Sequence, residues 1–315
     1  MLTWCTIFAI KETDLPFHAR PDAESLTISI DHQAAQRTAG LTILALICFA
    51  ANSLLCRLAL APGLIDPASF ASVRVLAASL MLCIVVWFRR RHLPRLAYAK
   101  PASVMALFAY LICFSFAYLH LGAGTGALIL FGAVQLTMFA VAIREGEHFS
   151  LQSWAGLGIA ILGLVYLVLP GLAAPDPLSA VLMAIAGIAW GLFSLSARGA
   201  PHPVEANAMN FLGCVPPVLM ANLIFIGDAH AAPEGIALAV ASGAIASGLG
   251  YVIWYLALRG LTAGRASIVQ LSVPAIAAFG GVVFIAEPIT LRLLIASAAM
   301  LGGIAIVLAS RYRGA

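Results

Sequence analysis

Polar and apolar positions in this chain do not alternate with the period of a strand, nor do they stripe one face of a soluble helix. They separate into long apolar runs with short polar joints. Ten runs stand out: Ala39 to Leu60, Ala68 to Phe88, Ala102 to Leu121, Ala123 to Ile143, Gln152 to Leu172, Leu178 to Ala197, Glu205 to Gly227, Gly235 to Leu258, Ala263 to Ile285 and Ile289 to Ser310. An α-helix needs about 20 such residues to cross a hydrocarbon layer of roughly 30 Å. Inside that layer no water satisfies the backbone, so a run must satisfy its own amides and carbonyls, as a helix does. The pattern predicts an all-α integral membrane protein with ten transmembrane helices.

Composition agrees. The chain is 63% hydrophobic and 10% charged, against roughly 25% charged in a soluble domain. With an inside N-terminus, fourteen of the seventeen Lys and Arg fall on one side of the membrane, RRRHLPRLAYAK supplying the densest patch. Arg292 alone falls outside, and Arg57 and Arg74 lie within runs. The positive-inside rule then places both termini in the cytoplasm of a bacterial inner (plasma) membrane. The net charge of +4 reports this topology and carries no nucleic-acid footprint. Residues 1–38 read as a mostly disordered cytoplasmic tail, and MLTWCTIFAI is too short to span and lacks a signal-peptide cleavage pattern. Six scattered cysteines without metal spacing read as small buried hydrophobes, so no metal or cofactor is expected.

The chain repeats. Displaced by 140 positions, the stretch from Gly122 overlays the stretch from Leu261: Gly124 falls on Gly264, Glu147 on Glu287, Ser150 on Thr290 and Gly163 on Gly303. A shift of 139 sets FAANS, from Phe49, on IAWGL, from Ile188. Two units of five runs follow, 39–172 and 177–310, with 311–315 as a cytoplasmic end. Five is odd, so the second unit enters the membrane from the other side, and the repeats are inverted. Carriers of alternating access use that architecture, with cargo near the midplane. An ancient duplication of a scaffold is the plainer alternative.

ANSLLCRLAL in the first run, SFASVRVLAASL in the second, and RASIVQLSVPAIAAFGGVVFIAEPITLRLLIASAAMLGGIAIVL near the end carry a resemblance. The sequence resembles the EamA family of the drug/metabolite transporter superfamily from about Leu41 to Ala309. Pro274, thirteen residues before Glu287, matches the family's pattern, whereas Val134 stands where the first half would carry the proline. The resemblance implies a ten-helix carrier, commonly an exporter of small metabolites.

Counting at about 1.5 Å per residue, the polar or aromatic residues nearest midplane are Asn52, Gln135, Trp190, Gln270 and Ser272. Such groups face a wet cavity or bond a neighbouring helix; gathered on corresponding helices, they suggest substrate binding. Trp190 is more often packing. Tyr251, Trp254 and Tyr255 suit an interfacial belt, and Pro274 should kink its helix. Arg57, about one turn from the outer end, can snorkel to the interface. Arg74 lies roughly 9 Å deep, and all thirteen Asp and Glu fall in the tail, the loops or the ends of runs, where none can meet it. It offers its guanidinium fork to an anionic group on the cargo, or bonds backbone carbonyls at a helix end. The aligned EANAMNFLGC has Asn207 and Asn210 and no cation, so the site should be asymmetric. Glu147 and Glu287 are expected to meet backbone amides at the start of the following helix, with gating as the lesser role.

His120, at the outer end of the third run, is the only histidine in a run, and Asp and Glu keep to the tail, the loops and the run ends, which predicts a uniporter, exchanger or weakly coupled facilitator. Small-residue spacings such as Gly243, Ser247 and Gly250, Gly156 and Gly163, and Gly302 with Gly303 allow close helix approach, which suits rocking, static packing or a homodimer. There is no HExxH and no acidic pair for an intramembrane enzyme, and no continuous polar stripe for a channel. The expected partners are a small-molecule substrate and the lipid bilayer; a non-transporting scaffold or sensor is the alternative.

Overall fold

The computed structural model describes residues 22–95, 98, 100–146, 149–169, 174–196, 201–261 and 263–313. Its contacts divide the chain into two units, 1–37 and 38–315. Within the first, helix begins at Asp22, inside the segment expected to be a tail, and residues 1–21 lie outside the description.

The described residues form twelve α-helices: α1 (Asp22–Leu60), α2 (Pro67–Arg90), α3 (Pro101–Ala117), α4 (Ala123–Arg144), α5 (Leu151–Val168), α6 (Pro177–Ser196), α7 (Pro203–Ile224), α8 (Pro233–Val240), α9 (Gly250–Ala257), α10 (Ala263–Gln270), α11 (Val273–Ile285) and α12 (Leu291–Arg313). Five of them begin on proline, whose missing N–H costs nothing in the first turn. Side-chain caps act at the starts of α2, α5 and α12. Asp66 accepts the Ser69 amide at 2.9 Å, and Ser150 accepts the Ser153 amide at 3.2 Å. Thr290, which the repeat aligns with Ser150, accepts the Leu293 amide at 3.1 Å. Each such cap satisfies a donor that would otherwise face an apolar medium.

Each apolar run is mainly helical over its described residues. Among the described residues, eight helices are long and apolar enough to cross a membrane, and two shorter apolar ones span Pro101–Ala117 and Leu291–Val307. Large apolar side chains cover the outside, among them Phe88 at 68%, Leu162 at 69% and Phe279 at 69% exposed. A soluble protein does not expose so continuous a surface; this one faces lipid.

Two runs are not simple helices. The eighth passes from α8 through a π-helical segment, Ala241–Leu249, into α9. The ninth breaks at Leu271 and Ser272, and Pro274 opens the second piece, α11. The expected bend is an interruption, because proline lacks the donor that would bridge the pieces.

Pairs of helices make the interior: α2 packs on α7, α5 on α12, α4 on α11, α3 and α4 on α6, and α2 on the π segment. Small residues set the distances. A Cβ on Gly303 would meet the Gly156 carbonyl, and one on Gly243 would meet the Arg74 carbonyl. Gly302 differs from its neighbour, since nothing lies within 4 Å of its would-be Cβ. Small-residue spacing therefore marked real contacts except at Gly302.

Candidate functional site

Arg74, on α2, is 1% exposed and heads the largest fully buried side chains. Its Nε donates to Ser247 Oγ at 3.3 Å. Its Nη2 donates to Tyr110 Oη at 3.0 Å and to Ser247 Oγ at 3.2 Å. The guanidinium carbon lies 4.8 Å from the Phe114 ring centroid and 5.5 Å from that of Tyr110, close enough for cation–π attraction. No carboxylate is paired with it among the described residues, and Nη1 is buried without a hydrogen-bond partner. A charge at this depth costs about 2.5 kcal/mol or more when nothing compensates it. Hydroxyls and ring faces compensate it only in part.

The hydroxyls are themselves held. Ser247 donates to Asn52 Oδ1 at 3.2 Å, and Ser242 donates to the same oxygen at 2.8 Å. Residues five apart stand about 140° apart around an α-helix. The i to i+5 bonding of a π-helix brings them to one face, which explains why both serines reach a single acceptor. Phe49, Ser53, Leu130, Phe131, Trp190 and Tyr251 complete the chamber, whose free volume is about 20 Å³. That is room for one water. Trp190 Nε1 donates to Tyr251 Oη at 2.6 Å and closes the aromatic wall.

A cavity of about 660 Å³ opens at the end of the bundle that carries Arg89, Arg90 and Arg259. Its single carboxylate, Glu205, is 3% exposed and accepts the Arg95 amide at 3.0 Å, with Arg90 Nε at 3.9 Å and His92 Nδ1 at 4.0 Å. Tyr255 lines this vestibule, and its ring stacks 6.2 Å from that of Tyr251 in the chamber wall. The two tyrosines therefore stand between the large cavity and Arg74.

Away from that vestibule, Arg57 and Glu287 line a second cavity of about 210 Å³ and tie its walls together. Arg57 Nε donates to Glu287 Oε1 at 3.1 Å, and its Nη1 donates to the carbonyls of Tyr118 and Leu119 at 3.1 and 2.7 Å. The other Glu287 oxygen accepts the Ala123 amide at 2.7 Å, at the start of α4. Glu287 thus meets the start of a helix as expected, but of α4 in the first unit rather than the helix that follows it. Gly122 and Gly281 make room, since a Cβ on either would lie 3.1 or 2.8 Å from Glu287 Oε2.

The sequence model of the EamA-like transporter family matches residues 36–169 and again residues 177–309. The chain belongs to the EamA-like transporter family. It is a membrane transporter. An uncharacterized protein of Pseudomonas aeruginosa is 45% identical over 281 residues, 88% of this chain and 96% of that protein. An uncharacterized transporter of Archaeoglobus fulgidus is 26% identical over 257 residues, 78% of this chain and 90% of that one. A crystal structure of a protein 17% identical superposes with a TM-score of 0.61, covering 87% of this chain and 98% of the other, which is a likeness of fold. Both matches to the EamA-like family fall on the two units that the repeat delimits.

Within this family member, the residues singled out from sequence divide. Asn52, Arg74 and Trp190 meet in the chamber. Gln135, Gln270 and Ser272 are not among its lining residues. Gln135 follows the chamber residue Phe131 by one turn and leaves its Nε2 without a partner. Gln270 is the last residue of α10, and Ser272 gives its hydroxyl to the Val269 carbonyl at 2.6 Å. Of the three, Gln135 alone stands within a turn of a chamber residue along its own helix. Arg57 does not snorkel; it is tied to Glu287. Glu147 lies outside the described residues. Tyr251 and Trp254 are 8% and 7% exposed and belong to the interior rather than to an interfacial belt. Tyr110 and Ser242 escaped notice, and Ser247 was singled out only for its small size. The one signal for the serines was their spacing of five in SGAIASGLG, read only as a stripe of small residues.

Proposed function

We propose that this transporter is an alternating-access carrier that exports a small anionic or zwitterionic metabolite across the plasma membrane. Ten spans form two inverted five-helix halves around the chamber. The pairing of α2 with α7, α4 with α11 and α5 with α12 supports this, because each pair joins positions that the repeat makes equivalent, as a twofold axis between halves requires. The positive-inside rule puts the basic end, and so the 660 Å³ vestibule, on the cytoplasmic side. The larger cavity then faces inward, and the smaller one of about 210 Å³, bridged by Arg57 and Glu287, faces outward.

Arg74 carries the reading. A guanidinium that is 1% exposed, unmatched by any described carboxylate and holding a free Nη1 donor is complete only when an anionic group joins it. Cargo supplies that group, and the chamber widens to admit it. Tyr110 and Ser247 hold the fork in place, and Trp190, Phe131 and Phe49 flank the body of the cargo.

Thermal-shift titration of the purified full chain against amino acids, organic acids, nucleosides and lipophilic cations tests the proposal. Stabilisation by carboxylate-bearing compounds, lost in Arg74→Gln, is expected. Preferential stabilisation by lipophilic cations would overturn the substrate class.

A further inference from the structure

The hydrogen bonds around the Arg74 chamber leave little choice in which way they run. A guanidinium only donates. Ser247 Oγ therefore accepts both bonds from Arg74, which occupies its two lone pairs, and its own hydrogen has to go elsewhere. It goes to Asn52 Oδ1 at 3.2 Å, where Ser242 gives its hydrogen too, at 2.8 Å. The Asn52 amide is thereby oriented. Its oxygen is turned to the serines and filled by them, and its nitrogen is left with the Cys48 carbonyl at 3.5 Å, at the limit of a hydrogen bond. The tyrosines follow the same logic. Tyr110 Oη accepts from Arg74, and Tyr251 Oη accepts from Trp190 Nε1, which also can only donate. Neither phenol hydrogen has an acceptor among the described residues.

The balance is one-sided. Arg74 Nη1, Asn52 Nδ2 and the hydroxyls of Tyr110 and Tyr251 are donors that the protein matches poorly or not at all. All four residues line the one chamber. Arg74 touches Tyr110 directly and reaches Asn52 through Ser247. On the acceptor side, Ser53, whose hydroxyl bonds that of Tyr118, is the remaining hydroxyl among the described lining residues, and the lining holds no carboxylate. Ring faces are occupied as well. Those of Tyr110 and Phe114 are turned to Arg74, and Phe49 and Phe131 meet Trp190 edge to face.

We infer that the chamber takes a monocarboxylate with an apolar body and discriminates against an amino acid of the same shape. An ionised carboxylate offers about four lone-pair sites and no hydrogen, which suits a lining rich in donors. An ammonium beside that carboxylate brings three hydrogens and a second positive charge close to Arg74. The lining gives it one neutral hydroxyl oxygen and no counter-charge, and a buried charged donor left unmatched is costly. Phe49, Leu130 and Phe131 in the walls suit a hydrocarbon or aromatic body. This selectivity rests on Arg74 as the anchor of the cargo's anionic group.

Phenylpropionate with phenylalanine, and hexanoate with norleucine, are pairs that differ only by the ammonium beside the carboxylate. Calorimetric binding of each to the full chain in detergent isolates its effect. The wild type should bind the ammonium-free member of each pair about tenfold or more tighter, a difference of about 1.4 kcal/mol. Asn52→Asp keeps the shape of the side chain and the oxygen that accepts both serines, but it exchanges the Nδ2 donor for an acceptor and sets a counter-charge near Arg74. It should weaken the two simple acids and abolish or reverse the preference. Arg74→Gln should weaken all four compounds. Equal or tighter binding of the amino acids by wild type, or a preference kept unchanged in Asn52→Asp, would overturn the selectivity while a loss of binding in Arg74→Gln leaves the anchor standing. Undiminished binding in Arg74→Gln, or a wild type that binds none of the four, would overturn the anchor and the selectivity together. If Asn52→Asp does not fold, the wild-type preference decides alone.

Discussion

Arg57 and Arg74 both interrupt apolar helices, yet their surroundings are opposites. Arg57 meets one carboxylate and two carbonyls, and its side chain is 20% exposed. Arg74 is nearly inaccessible and meets two hydroxyls and two ring faces. A cation matched by the protein itself contributes to holding the protein together. One left partly unmatched, at greater cost, is the one that the proposed cargo would complete. The first arginine fastens α1 to the turn after α3 and, through Glu287, to the start of α4.

The contrast can be broken experimentally, most heavily at Glu287. Glu287→Ala strips Arg57 of its counter-charge and the Ala123 amide of its acceptor, and should cost about 3 kcal/mol of stability. The fall in thermal midpoint in detergent measures it, and Arg57→Ala in the same background should add less than it costs alone. Next comes the packing that fixes the two pairs of helices. Gly303→Ala drives a methyl into the Gly156 carbonyl and the Ala160 amide and should cost about 1–3 kcal/mol. Arg74→Gln should change stability by no more than about 1 kcal/mol in either direction, because it removes a partly unmatched charge along with its bonds. Equal damage from Arg57→Gln and Arg74→Gln would erase the distinction between them. The smallest effect is expected at Gly302→Ala, where the new methyl meets nothing and stability should stay within about 0.5 kcal/mol.

Much of the architecture could be read from the chain because length and apolarity are scalar properties. The run Ala123 to Ile143 became α4, Ala123–Arg144, and Leu178 to Ala197 became α6, Pro177–Ser196. Pro274 announced its break because a missing N–H acts locally. What stayed hidden was rotation. A helix apolar on every side gives no sign of which face turns inward, so the sequence could not separate Asn52, which lines the chamber, from Gln270 and Ser272, which are not among its lining residues. Asn52 turned inward and was found for a reason that depth alone did not supply, its bond to two serines of another helix. Aromatic residues misled for the same cause: Tyr251 suits a lipid interface as well as a chamber wall. The π segment left no periodic mark. Glu287 found its amide on α4, and a partner 164 positions away in sequence is beyond any local rule.

One measurement bears most directly on the role of Arg74. Binding of a carboxylic acid and of its primary amide, equal in shape and different in charge, can be compared in wild type, Arg74→Lys and Arg74→Gln by calorimetry. Wild type should prefer the acid by about tenfold or more, roughly 1.4 kcal/mol. Lysine should keep part of that preference, since it supplies charge without the fork, and glutamine should have none. A preference for the acid that survives unchanged in Arg74→Gln would place the anionic group elsewhere and contradict the account.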